Sequence, residues 1–168
     1  IDNDFQTCLI APTEILATQH FNSFNSALSN LNVNIRLLTG STKLSERKKI
    51  FNDLKNGSLN ILIGTHAVFE ENVVFKNLGF AVIDEQHRFG VKQRSKIWEK
   101  NNPPPHVLIM TATPIPRTLT MSLYGDLDLS IIDELPPGRK DVITVSRKDK
   151  NRLKVFGFNI FLPKLANE

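Results

Sequence analysis

Asp84 and Glu85 stand side by side at the end of an apolar run, Phe80-Ala81-Val82-Ile83, and are followed by Gln86 and His87. Two adjacent carboxylates at the carboxyl end of a buried strand lie where open α/β sheets place their ligands. In a nucleotide hydrolase the first acid of such a pair holds Mg2+ through water, and the second orients and deprotonates the attacking water. The same residues also suit a plainer task, capping the next helix and complementing its dipole. A second run, Val107-Leu108-Ile109-Met110, ends in Thr111-Ala112-Thr113-Pro114. Small hydroxyl side chains there can bond a neighbouring loop without filling a cleft, or make no more than a tight turn before proline. Acid box and hydroxyl motif together are far more specific than either alone.

Short apolar runs recur at residues 7–11, 35–38, 61–63, 80–83, 107–110 and 129–132. They are continuous rather than alternating, as expected of parallel strands covered on both faces. Leu16, Phe21, Phe24, Leu28 and Leu31 recur with helical spacing, which predicts an amphipathic helix over 14–30. A second helix is expected over 45–56, with Ser45 as its cap, Glu46 near its positive end, Ile50, Phe51 and Leu54 inward, and Gly57 as a left-handed stop. Pro103-Pro104-Pro105 cannot continue a helix and mark a loop into the fifth strand. Leu135-Pro136-Pro137-Gly138-Arg139-Lys140 is rich in turn residues and is the expected domain boundary.

Three further strand ends carry small or hydroxyl residues just before a helix: Pro12-Thr13-Glu14, Thr39-Gly40-Ser41 and Gly64-Thr65-His66. Backbone N–H groups at such turns are free for anions such as phosphates, although the same groups can simply cap helices. With 168 residues, 40% of them apolar, the chain can build a proper core. Its net charge of +4 permits a polyanionic partner without requiring one. The clusters Arg47-Lys48-Lys49 and Arg147-Lys148-Asp149-Lys150 read as solvated faces. Cys8, the single cysteine, sits in an apolar run and reads as a small buried hydrophobe that makes no intramolecular disulfide and no cysteine metal cluster. The apolar runs are too short to cross a bilayer and the first residues do not resemble a secretory signal, so a cytoplasmic chain with no membrane partner is expected.

Taken together, these motifs resemble the first motor domain of superfamily 2 helicases. Asp84-Glu85-Gln86-His87 matches the DExH box and Thr111-Ala112-Thr113 the motif that couples nucleotide state to DNA. Leu9-Ile10-Ala11-Pro12-Thr13-Glu14-Ile15-Leu16-Ala17, Leu38-Thr39-Gly40-Ser41 and Ile63-Gly64-Thr65-His66-Ala67 resemble three successive DNA-contact motifs. His87-Arg88-Phe89-Gly90-Val91 and the stretch from Thr111 through Pro114-Ile115-Pro116-Arg117 to Leu119 are shared by RecG branched-DNA translocases and transcription-repair coupling factors. Gln86, Ala11-Pro12-Thr13-Glu14, and Tyr124-Gly125-Asp126 leading to Pro136-Pro137-Gly138-Arg139-Lys140 resemble the RecG type, over about residues 7 to 156.

The resemblance implies a RecA-like α/β three-layer sandwich with a mostly parallel sheet, of the P-loop NTPase class but lacking the P-loop strand. It implies that Asp84 positions Mg2+ through water and Glu85 is the general base. Gln86 and His87 relay nucleotide state, and Thr111, Ala112 and Thr113 couple it to DNA. Pro12, Thr13, Glu14, Thr39, Gly40, Gly64, Thr65 and His66 lie along a DNA track. ATP, Mg2+ and branched or forked DNA are the implied cofactors and partner of the whole protein, a bacterial helicase of recombination and repair. The family's Gly-rich loop with its Lys-Ser/Thr does not occur among these residues, nor do its wedge domain and most of its second motor domain. Residues 1–140 are therefore expected to be a partial first motor domain and 141–168 a linker with the opening of the second. By themselves they are expected to hold neither ATP nor Mg2+. They are expected instead to act as a non-catalytic DNA- or protein-binding module that self-associates, borrows a strand from 156–162, or is only marginally stable. The rival family reading is the motor of a transcription-repair coupling factor.

Overall fold

Apolar runs become strands here, and those at the centre of the sheet are buried on both faces, whereas the edge strands keep residues such as Arg36 and Leu108 in solvent. The computed structural model describes residues 3–112 together with 128, 130–132, 134 and 138. The chain divides into two compact units, Ile1–Arg117 and Thr118–Glu168. The first holds five strands, β1 (Gln6–Ile10), β2 (Ile35–Leu38), β3 (Ile61–Gly64), β4 (Leu78–Ile83) and β5 (His106–Ile109), interleaved with α1 (Glu14–Ala27), α2 (Leu44–Asn56) and α3 (Val91–Trp98). Their order across the sheet is β2-β3-β1-β4-β5, and every pairing is parallel.

The pleat of β1 sorts its side chains between two cores. Cys8 and Ile10 join Ile50 and Leu54 of α2, Ile97 of α3 and Phe89 on one face. Leu9 and Ala11 join Ile61, Ile63, Val82 and the α1 residues Ala17, Leu16, Phe21 and Phe24 on the other. The result is the expected three-layer α/β sandwich. Cys8 is fully buried, and desolvation pushes its thiol up to about 12 despite the nearby Lys100 ammonium.

Several local expectations change. Helix α1 is capped by Thr13, whose Oγ1 accepts from Leu16 N at 3.3 Å. It stops at Ala27 rather than continuing to residue 30, and Leu31 is 59% exposed rather than inward. Helix α2 begins at Leu44, and Ser45 does not cap it. The N-cap is Lys43, whose carbonyl accepts from Arg47 N, while the nearby Thr42 hydroxyl turns back to accept from Thr39 N. Gly57 does end α2 in the left-handed region, at φ 86°. The sixth expected strand does not form at Ser130, Ile131 and Ile132, which are exposed and carry no strand geometry. The run carries Ser130 and is flanked by Asp128 and Asp133, and among the described residues no strand pairs with it. The boundary at 135–140, apart from Gly138, and the segment 156–162 lie outside the described residues. Leu108 of β5 is 45% exposed. Among the described residues, no helix is long and apolar enough to cross a membrane.

A buried glutamine fastens the amino-terminal edge of the sheet. Gln6 is 2% exposed. Its Nε2 donates to the carbonyls of Leu54 at 3.0 Å and Leu59 at 2.8 Å. Its Oε1 accepts from the amides of Lys76 at 2.8 Å and Asn77 at 3.0 Å. One side chain thus ties β1 to the end of α2 and to the loop before β4. Gln6→Leu keeps the bulk but strands these groups, and is expected to cost about 2–4 kcal/mol in urea unfolding. A loss below about 0.5 kcal/mol would mean that water replaces the amide at no cost.

Candidate functional site

Because the strands are parallel, their carboxyl ends share one edge, and that edge collects the residues singled out in the sequence. A row of backbone hydrogen bonds runs along it. Thr65 N donates to Leu38 O at 3.1 Å, Ala11 N to Gly64 O at 2.9 Å, Asp84 N to Ile10 O at 2.9 Å and Met110 N to Ile83 O at 2.9 Å. The sheet order splits the edge in two. The turns after β2, β3 and β1 form one half, and the acid box and Thr111, after β4 and β5, form the other.

On the acid half, the chain does not run from β4 straight into a helix. Glu85 takes the left-handed conformation, φ 49° and ψ 53°, and a single 3-10 turn, Gln86–Arg88, follows. Helix α3 starts only at Val91, with Gly90 as its N-cap, so Asp84 and Glu85 do not cap it. A left-handed glutamate costs about 1–2 kcal/mol, a strain that folds keep mainly at working sites. The kink brings Glu85 Oε2 within 3.4 Å of Thr111 Oγ1, Ala112 N and His87 Nδ1. These are long contacts, able to shorten when a ligand arrives. Gln86 is buried beneath them, its backbone N–H facing Met110 O at 3.4 Å. Thr113 lies outside the described residues.

Asp84 has a partner that the sequence did not announce. His20 of α1 places Nε2 3.0 Å from Asp84 Oδ2, with both side chains largely covered. A signal was present: His20 falls between Ala17 and Phe24 on the inward stripe of α1, where an apolar residue is the rule. Among the described residues no group of three or more His, Cys, Asp or Glu could hold a metal ion directly. Asp84 has one oxygen, Oδ2, engaged by His20, and a single carboxylate of this kind could meet Mg2+ only through the ion's own waters.

On the other half, Pro12 is partly buried, Thr13 caps α1, and Glu14 is exposed. Thr39 is buried, with Gly40 exposed beside it. Gly64 lies beneath the surface, where a β-carbon would stand 2.3 Å from Leu38 O, so its lack of a side chain lets β3 and β2 close. Thr65 is 2% exposed, its hydroxyl without a hydrogen-bond partner among the described residues. His66 reaches solvent. Exposed access on this half therefore runs through Thr13, Glu14, Gly40, Ser41 and His66, with Gly64 and Thr65 shaping the floor.

Arg47 corrects the reading of its cluster as a solvated face. Its side chain is 16% exposed, and Nη1 meets both carboxylate oxygens of Glu70 at 2.9 and 3.0 Å. The same guanidinium donates to Thr39 O at 2.8 Å and Thr42 O at 3.2 Å. Basic composition gives no hint that this one arginine braces a turn while Lys48 and Lys49 remain exposed.

Residues 1–122 match the DEAD/DEAH box helicase family model. The chain is 54% identical over 145 residues, 86% of its length, to the ATP-dependent DNA helicase RecG of Aquifex aeolicus, covering 18% of that protein. It is 48% identical over 153 residues, 89% of its length, to that of Escherichia coli strain K12, covering 22%. A solved structure of RecG bound to a three-way DNA junction matches 92% of the chain and 20% of its own length, at 44% identity and a TM-score of 0.68. A helicase Lhr structure from Mycobacterium smegmatis, 16% identical with a TM-score of 0.54, shares the fold. The chain thus spans about a fifth of the length of these RecG relatives.

The His20–Asp84 contact is expected to appear as a coupling of about 0.5–1.5 kcal/mol in a double-mutant cycle of His20→Ala and Asp84→Ala, measured by urea unfolding. Strict additivity would show that the two side chains do not meet in solution.

Proposed function

Because the chain belongs to the DEAD/DEAH box helicases and its sequence is of the RecG type, we propose that it carries the acid box and one side of the DNA track of a motor domain. In the whole protein, ATP hydrolysis would drive movement on branched duplex DNA during recombination and repair, in the bacterial cytoplasm. The single observation behind this reading is the division of one sheet edge into an acid half and a turn half, joined through β1.

In this reading Asp84 holds the water shell of Mg2+, and Glu85 takes the proton of the attacking water. Gln86 and His87 sense the nucleotide, while Thr111, Ala112 and Thr113 pass its state to the turns at 12–14, 39–40 and 64–66. The contact of Glu85 with Thr111 and Ala112 supports that link, since one carboxylate faces both motifs. His20 adds a direct tie from the helix behind the first turn to Asp84. Residues 1–140 form the motor portion and 141–168 the passage to a second motor domain. A second reading takes these 168 residues alone as a DNA- or protein-binding module without turnover, and the lack of a Gly-rich Lys-Ser/Thr loop in the sequence favours it.

The 168-residue chain is expected to show no DNA-stimulated ATP hydrolysis in a phosphate-release assay, because its acids have no loop to hold a nucleotide against them. Turnover that rises with DNA and vanishes in Glu85→Gln would refute this. DNA binding is expected to be weak and indifferent to sequence. With about two or three phosphates engaged, log affinity should fall with log salt at a slope of about −2 to −3. Affinity that persists at high salt, or clear base preference, would count against a backbone track.

A further inference from the structure

The turn after β2 is built as an anion receptor, and the anion in it belongs to the chain itself. The Thr39 carbonyl points at Arg47. Carbonyl and N–H of a trans peptide point in opposite directions, so the Gly40 N–H faces the other way. Arg47 also holds Thr42 O and is itself held by Glu70, so the turn is braced from behind. In front of it lies the carboxylate of Glu14, at the first position of α1. Its Oε1 accepts from Ser41 N at 3.2 Å and its Oε2 from Ser41 Oγ at 3.0 Å. The Ser41 hydroxyl is steadied in turn by Thr39 Oγ1 at 2.9 Å. A β-carbon on Gly40 would meet Glu14 Oε1 at 3.4 Å, so the carboxylate lies against the otherwise exposed glycine.

We propose that Glu14 is an intrachain anion seated in the phosphate-binding turn 39–41, and that it must swing out before a phosphate can enter. This rests on the reading of that turn as part of the DNA track. A carboxylate and a phosphate oxygen ask for the same donors, so the two compete for the Ser41 amide and hydroxyl, with charge repulsion adding to the competition. The donors keep the Glu14 carboxyl below its ordinary range, the Ser41 hydroxyl most and its amide next, so the seated group is charged at neutral pH. Glu14 is exposed, which leaves water as its destination when displaced. Glu14 therefore acts against binding, the opposite of a contact residue.

The test follows the Gly40 and Ser41 amides by NMR while inorganic phosphate is added at constant ionic strength to the native chain, to Glu14→Ala and to Glu14→Gln. Spectral dispersion confirms that each is folded. In both variants the two amides should shift and saturate at phosphate concentrations about tenfold below those needed for the native chain, the factor expected if the turn stands open about a tenth of the time. Amides that stay still in both variants, or that respond equally in all three proteins, would overturn the proposal. A DNA titration of the same proteins separates it from the reading beneath it. Tighter DNA binding by Glu14→Ala supports both, and weaker binding makes Glu14 a contact and overturns the proposal. Phosphate uptake by the variants with no change in DNA affinity upholds the occupied turn and removes it from the DNA track.

Discussion

A row of four backbone hydrogen bonds, Thr65 to Leu38, Ala11 to Gly64, Asp84 to Ile10 and Met110 to Ile83, is what the carboxyl edge of the sheet rests on. Each joins the residue just past one strand to the last carbonyl of its neighbour. None involves a side chain, so the row constrains sequence only where backbones must close. Gly64 is such a place, since even a methyl group there would strike Leu38 O. With the row in place, five turns leave the sheet at fixed lateral intervals, and the identity of their side chains decides what each turn does.

The parallel sheet was legible because buried strands write themselves as largely apolar runs, and β1 to β5 all overlap the runs read from the sequence, although Arg36 in β2 and Leu108 in β5 face solvent. The acid box was legible because two charges directly after a buried strand must emerge at the sheet edge, where parallel sheets meet their ligands. Its geometry was not. Nothing in Asp84-Glu85-Gln86-His87 announces that Glu85 adopts a left-handed backbone and turns its carboxylate toward Thr111. The plainer reading, a helix cap, fails for that same conformational reason. Strand 129–132 failed because an apolar run is necessary for a buried strand but not sufficient, and Ile131 and Ile132 stay in solvent.

The partnerships that organise the edge were the least legible, because they join residues far apart in sequence through polar groups whose composition looks ordinary. Arg47 reads as one of three surface cations, yet it is the covered one that fixes the backbone of Thr39 and Thr42. Gln6 precedes the first apolar run and carries no signal of its own in the sequence, yet it satisfies four backbone groups in the interior. Glu14 reads as part of a contact motif, whereas its carboxylate is spent on Ser41. In each case hydrogen-bond geometry, rather than residue type, assigns the role.

The order β2-β3-β1 also makes the sheet a ruler. Neighbouring strands lie about 4.8 Å apart, so the turns after β2, β3 and β1 span about 10 Å. The three turns are thus held at intervals set by the backbone ladder alone, a spacing that no surface substitution can lengthen or shorten.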